Sequence, residues 1–224
     1  MKSQDYYDDF SRNYDWERLH GYFGFINEME AATIKPLVKG KQVLEIGCGT
    51  GLIMRQIAGL EKNAVGIDIS QKMLSKAREK GFAVARADAA KLPFRDESFD
   101  VVYSFKVLAH IEDIGPALSE AARVAKGKGF VVLEFYNSQS IKKLMNFFVP
   151  KKVFIRYDSP GRIKRLLPDQ LSVHAFSGIR IISPAAISFR IPIVSGITKA
   201  VERLLSKTPL SRFGSYFIVI CRKN

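Results

Sequence analysis

Short apolar runs alternate along the first 137 residues with stretches whose apolar positions recur at helical spacing. Residues 43–46, 64–68, 82–86, 99–104 and 130–135 read as five strands. Between them, residues 51–60 set Leu52, Ile53, Ile57 and Leu60 on or near one helix face. Ser70 is an N-cap for a helix over 71–80, which Gly81 stops, and Pro116 opens a helix over 116–126 that Gly127 and Gly129 end. Strands alternating with helices predict a parallel sheet covered on both faces. Right-handed crossovers then bring the strand ends to one side of it.

Three features converge on that side. VLEIGCGTG, residues 43–51, runs from an apolar strand through an acid, Glu45, into a glycine turn at Gly47, Gly49 and Gly51. Asp68 follows 17 residues beyond Gly51, at the tip of the second strand, where an acid can take both hydroxyls of a ribose. Asp88 and Ala89 follow the third strand, where a short polar side chain and a backbone amide can meet an adenine edge. The spacing E-x-G-x-G-x-G is not the G-x-G-x-x-G of dinucleotide sites, nor a triphosphate loop. An acid at the strand tip repels a pyrophosphate and suits a ligand with a cationic amino group, as S-adenosylmethionine has.

Composition adds a division within the chain. A length of 224 residues suits one domain, and 47% hydrophobic residues supports a sizeable core. No uninterrupted apolar run approaches the roughly 20 residues of a bilayer span. The polar, acidic start does not read as a secretory signal, and the two cysteines, Cys48 and Cys221, do not suggest a disulfide, so a cytoplasmic setting is expected. Residues 138–224 hold 16 Lys/Arg against 3 Asp/Glu, so the whole net charge of +13 falls there. The three histidines, His20, His110 and His174, and the two cysteines offer no metal-ligand spacing.

With VLEIGCGTG, GIDIS (66–70), ARADAAKLPFRDESFDVVYS (85–104) and VLAHIED (107–113) in order, the chain resembles a class I S-adenosylmethionine-dependent methyltransferase, similar to the quinone-biosynthesis branch. The resemblance covers roughly half the chain. It implies a Rossmann-like, doubly wound α/β fold of seven strands, mostly parallel with an antiparallel last strand. Residues 213–223 would form that strand, with 176–183 beside it. It also implies S-adenosylmethionine as cofactor and S-adenosylhomocysteine as product. The glycines, with Cys48 among them, would shape the methionine pocket, and Glu45 would face its amino group. Asp68 would hold the ribose, Ile69 and Met73 would pack beside the adenine, Asp88 and Ala89 would read its edge, and Phe105 would line the site near the methyl group. His110 would sit near the transfer cavity as a candidate base. Lys106 stands where an apolar residue is more usual, which would favour an anionic acceptor.

The ends of the chain then fall to the acceptor. The first 30 residues are rich in aromatics, and within an N-terminal helical lid at 1–40 the segment 10–15 (FSRNYD) resembles the helix that closes over the cofactor, with Tyr14 as its contact. Residues 138–175 read as a cap insertion, in which Ile141, Leu144, Met145 and Phe148 share one face of a basic amphipathic helix. Residues 194–207 form a second such element, within a C-terminal part at 176–224. Such helices cap a greasy pocket or lie on an anionic membrane surface. The expected acceptor is a small lipophilic or aromatic molecule that can carry negative charge. A tRNA or rRNA acceptor, or a non-catalytic cofactor-binding subunit, are the competing readings. The sequence leaves the oligomeric state open.

Overall fold

A computed structural model describes residues 14–140, 143, 154–182, 189 and 191–224. In chain order its elements are α1 (Tyr14–Leu19), α2 (Gly21–Val38), β1 (Gln42–Ile46), α3 (Leu52–Ile57), β2 (Asn63–Asp68), α4 (Gln71–Glu79), β3 (Val84–Arg86) and β4 (Phe99–Ser104). After a 3-10 turn at Leu108–His110 come α5 (Gly115–Val124), β5 (Ala125–Tyr136), α6 (Pro160–Leu166), β6 (Leu171–Ile179) and α7 (Pro192–Leu205), then a 3-10 turn at Pro209–Phe213 and β7 (Tyr216–Lys223).

The seven strands lie in the order β3-β2-β1-β4-β5-β7-β6. β1 pairs parallel with β2 and β4, β2 with β3, and β4 with β5. β7 runs antiparallel between β5 and β6. This is the predicted mostly parallel sheet with an antiparallel last strand. The order reverses at β1, which leads to β2 on one side while β4 lies on the other. A crevice outside the strand ends is expected at such a point.

The sheet separates two apolar layers. Leu44, Ile46, Val102, Val131 and Leu133 pack on one face with Leu118, Ala121 and Ala122 of α5. Val43, Val101, Tyr103, Val132 and Ile218 pack on the other with Phe25, Ile26, Ile34 and Val38 of α2. Period-two alternation within each central strand feeds both layers, which is why those strands read as continuous apolar runs.

Two boundaries depart furthest from the sequence reading. Residues 127–129 do not end a helix: α5 stops at Val124 and β5 begins at Ala125. The register against β4 shifts between Phe99 and Val101, and Lys128 takes a left-handed φ of 62°, so this stretch is a bulge inside the strand. β6 begins at Leu171, inside the segment read as insertion. After the buried Leu171 its residues alternate exposed with half-buried positions up to Ser177 because β6 is the sheet edge, so they lack the apolar run of a central strand. The proposed amphipathic helix of Ile141, Leu144, Met145 and Phe148 lies outside the described residues, as does 10–13 of the lid segment.

Candidate cofactor and acceptor site

The turn after β1 is shaped by its glycines. Gly47 has φ 75°, and a Cβ there would lie 2.1 Å from Val107 Cγ2. Gly49 has φ 54° with nothing within 4 Å of its would-be Cβ, so its backbone borders open space. The turn is tied to the tip of β2. Gly47 and Cys48 N–H both donate to Ile67 O, at 2.7 and 2.9 Å. Gly49 N–H donates to Asp68 Oδ2 at 2.9 Å, and Ser70 N–H to Asp68 Oδ1 at 2.8 Å. Asp68 thus joins the glycine turn to the start of α4.

A cavity of ≈ 440 Å³ opens over these strand ends. Its walls contain ten of the predicted residues: Tyr14, Gly47, Gly49, Asp68, Ile69, Met73, Asp88, Ala89, Phe105 and His110. Asp88 gives one oxygen to Ala90 N–H at 2.9 Å. Three predicted residues are not in the walls. Glu45 is buried beneath the turn, where its Oε2 accepts the Tyr103 hydroxyl at 2.9 Å. Burial pushes the Glu45 carboxyl up to about 8, against an ordinary value of 4.5. It is therefore neutral at pH 7 rather than a fixed anion facing the cavity. Cys48 is turned into a small cluster with Met54 and Leu74, and burial raises its thiol far above the usual range. Gly51 begins α3 against the Phe82 ring.

The far wall holds groups that the motifs did not single out for the site: Arg18, Val107, Ile111, Tyr136 and Ile155. Ile155 arrives because the chain after residue 153 folds back over the Leu108–His110 turn. Arg156 N–H donates to Ala109 O at 2.8 Å, and the Arg156 guanidinium pairs with Asp158 at 2.7 Å. The same return puts Phe154 O 2.9 Å from His110 Nδ1. A carbonyl only accepts, so Nδ1 carries the proton and Nε2 bears the lone pair. Burial lowers the His110 pKa, which keeps the ring neutral at neutral pH.

Lys106 is the least expected member of the wall. It takes φ 61°, a left-handed conformation uncommon for a residue with a side chain. Its ammonium donates to Asn27 Oδ1 at 2.6 Å and to Glu30 Oε2 at 2.8 Å, while its backbone N–H donates to Glu134 Oε1 at 3.2 Å. Burial pulls the Lys106 pKa down, but the Glu30 and Glu134 carboxyls outweigh it and the net direction is up. Burial, and next to it the neighbouring Glu30 carboxyl, push the Glu134 carboxyl well above the carboxylate range. Lys106 thus stands at the cavity wall with its ammonium ion-paired to the buried Glu30 behind it.

α1 closes on the glycine turn. Thr50 Oγ1, fully buried, donates to Asp15 Oδ1, and Lys80 Nζ bridges Asp15 and Thr50 O. Asn27 Nδ2 donates to Arg18 O at 2.8 Å, so the residue that holds Lys106 also holds α1.

The glycine turn open toward the cavity, the acid at the tip of β2 and the volume suit a nucleoside cofactor, since ligand pockets run from about 300 to 1,000 Å³. The comparisons with known proteins agree. Residues 44–133 match the family model described as a methyltransferase domain. An uncharacterised protein of Methanocaldococcus jannaschii is 35% identical over 144 residues, covering 63% of this chain and 55% of its own. The demethylmenaquinone methyltransferase of Tropheryma whipplei is 35% identical over 136 residues, covering 58% of this chain and 54% of its own. The chain thus spans about half the length of these curated relatives. The crystal structure of an S-adenosylmethionine-dependent methyltransferase from Thermotoga maritima shares the fold, with TM-score 0.71 over 99% of each chain at 20% identity. Residues 44–133 are thus similar to a methyltransferase domain, as in the class I S-adenosylmethionine-dependent methyltransferases, whose fold the whole chain shares. S-adenosylmethionine is the cofactor that family and fold imply. Among the described residues no cluster of His, Cys, Asp or Glu could hold a metal ion, and no helix is long and apolar enough to cross a membrane.

Proposed function

We propose that the chain transfers a methyl group from S-adenosylmethionine to a small, partly apolar acceptor bound at the β4–β5 end of the cavity. The observation that carries this reading is a single cavity whose walls include Asp68 and Gly49 together with His110 and Lys106. Asp68 and Asp88 would hold the nucleoside, and the Gly47–Gly49 turn would admit the methionine portion. When bound, the cofactor supplies an electrophilic methyl group on a sulfonium. The protein's own part is then alignment and exclusion of water.

Phe105, Val107, Ile111, Tyr136 and Ile155 provide apolar wall around the reacting end. His110, with its proton on Nδ1, is set to receive an acceptor proton on Nε2. Lys106 favours an acceptor that carries or develops negative charge. Residues 14–19 would act as a lid held by Asp15, and residues 154–158 as part of an acceptor cap.

The test is incubation with methyl-labelled S-adenosylmethionine and host extract fractionated into lipid, polar metabolite, RNA and protein pools. Label in the lipid or metabolite pool is the expected result. Label in RNA would replace this reading with nucleic-acid methylation, and label in no pool would leave a cofactor-binding subunit.

A further inference from the structure

α7 presents an unusual surface. Ile193, Ile197, Ala200 and Leu204 recur at i, i+4, i+7 and i+11, so they form one stripe along the helix. The stripe faces outward: Ile193 is 77%, Ile197 61% and Leu204 65% exposed. Ile191 before the helix and Leu210 and Phe213 after it are exposed as well. A soluble helix ordinarily buries such a stripe, and contiguous exposed apolar surface marks an interaction site.

The exposed charges within residues 192–213 have one sign. Residues 192–213 contain Lys199, Arg203, Lys207 and Arg212 and a single acid, Glu202. That acid is turned inward at 2% exposure, where it accepts the N–H groups of Ile181 and Ile182 at 2.7 and 3.0 Å. Lys199 and Arg203 lean toward α2, lying 5.7 and 5.3 Å from the Phe25 ring, and Arg203 meets Glu28 at 3.3 Å. Lys207 and Arg212 are exposed. The inward face of α7 thus takes the negative charge and leaves apolar and cationic groups outside.

From this surface we infer that α7 docks the protein on an anionic lipid bilayer, with the stripe in the acyl boundary and the cations at the headgroups. Such a helix gains from both apolar burial and attraction to anionic lipid. A second copy of the chain would bring cations against cations across the same face. A nucleic acid would use the cations and leave the isoleucines and leucine in water. The start of α7 also lies beside the α1–α2 junction, because Phe189 packs on Tyr22 with ring centroids 5.0 Å apart. Tyr14 and Arg18 of α1 line the cavity, so docking would hold that side of the site near the bilayer, where a lipophilic acceptor partitions.

The experiment is flotation of the full chain with vesicles of equal parts phosphatidylglycerol and phosphatidylcholine, against vesicles of phosphatidylcholine alone. Binding to the anionic vesicles should be at least about tenfold tighter and should weaken with salt. Combined Ile193→Glu, Ile197→Glu and Leu204→Glu should reduce it by about tenfold or more. Lys207→Ser with Arg212→Ser should reduce it by about 25-fold, at about a fivefold loss per cation. All of these positions are solvent-facing, and an unchanged thermal melt verifies that the variants fold. Equal binding to neutral vesicles, no flotation of the wild type, or flotation unaffected by the triple change would overturn the inference. So would a dimer in sedimentation that the triple change dissolves, or retention on single-stranded RNA with none on vesicles. Loss of S-adenosylmethionine binding would sink the proposed function and leave the flotation result standing.

Discussion

Thr50 and Asp15, 35 residues apart in sequence, are joined by a hydrogen bond from the fully buried Thr50 hydroxyl to the Asp15 carboxylate. Through it, and through Lys80, the first described helix is latched to the glycine turn that borders the cavity.

Asp15→Ala should release that latch. Leaving a buried hydroxyl without its acceptor costs about 1–3 kcal/mol, and α1 loses its tie to the turn. S-adenosylhomocysteine should dissociate about tenfold faster from the variant in stopped-flow displacement. An unchanged off-rate would mean that α1 takes no part in cofactor retention.

Lys106→Met should be strongly destabilising. Removing the cation leaves Glu30 buried without its partner, a change that costs about 3–5 kcal/mol in comparable buried pairs. Adding Glu30→Gln should recover more than half of the loss in urea unfolding, because the uncompensated charge is then gone. A double variant no more stable than Lys106→Met would contradict the pairing.

The Glu45 carboxyl makes folding depend on pH in a defined sense. Its folded pKa of about 8 lies above the ordinary 4.5, so the folded state holds one more proton than the unfolded chain between those values. Its contribution to stability is present below pH 4.5 and is lost as pH rises toward 8, with a slope of up to about 1.4 kcal/mol per pH unit. Glu45→Gln should flatten the stability profile across that window. A parallel profile would place Glu45 in a more polar setting than its contact with Tyr103 provides.

His110→Ala should lower turnover about 10²–10⁴-fold and leave the cofactor dissociation constant within about twofold if the imidazole takes the acceptor proton. Because burial lowers its pKa, the neutral ring persists below the ordinary histidine value, and wild-type turnover should fall only on the acid side of about pH 6.5. Equal losses in turnover and cofactor affinity would make His110 a structural residue.

What the sequence reveals of this molecule is mostly local. The glycine turn, Asp68 and Asp88 follow strands directly, so strand-end geometry alone brings them to one crevice. Ser70 was readable as an N-cap, and its side chain does accept Met73 N–H. The bulge at 127–129 was not readable, because a glycine pair after a helix signals a stop and only the pairing with β4 shows a strand. Lys106 stood out as a departure, yet its partners Asn27, Glu30 and Glu134 come from α2 and β5 and share no sequence pattern with it. Glu45 looked like a ligand because it sits in the motif. Its side chain falls on the inward side of the pleat, toward Tyr103, and the motif does not carry that information. The His110 tautomer likewise depends on a carbonyl 44 residues away.

The most direct measurement is calorimetric titration of S-adenosylmethionine into the wild type and into Asp68→Ala. The account predicts one site per chain in the wild type and an affinity loss of about tenfold or more in the variant, because ribose hydroxyls and the Gly49 N–H both lose their acceptor. Absence of binding to the wild type, or the same affinity in both proteins, would contradict it.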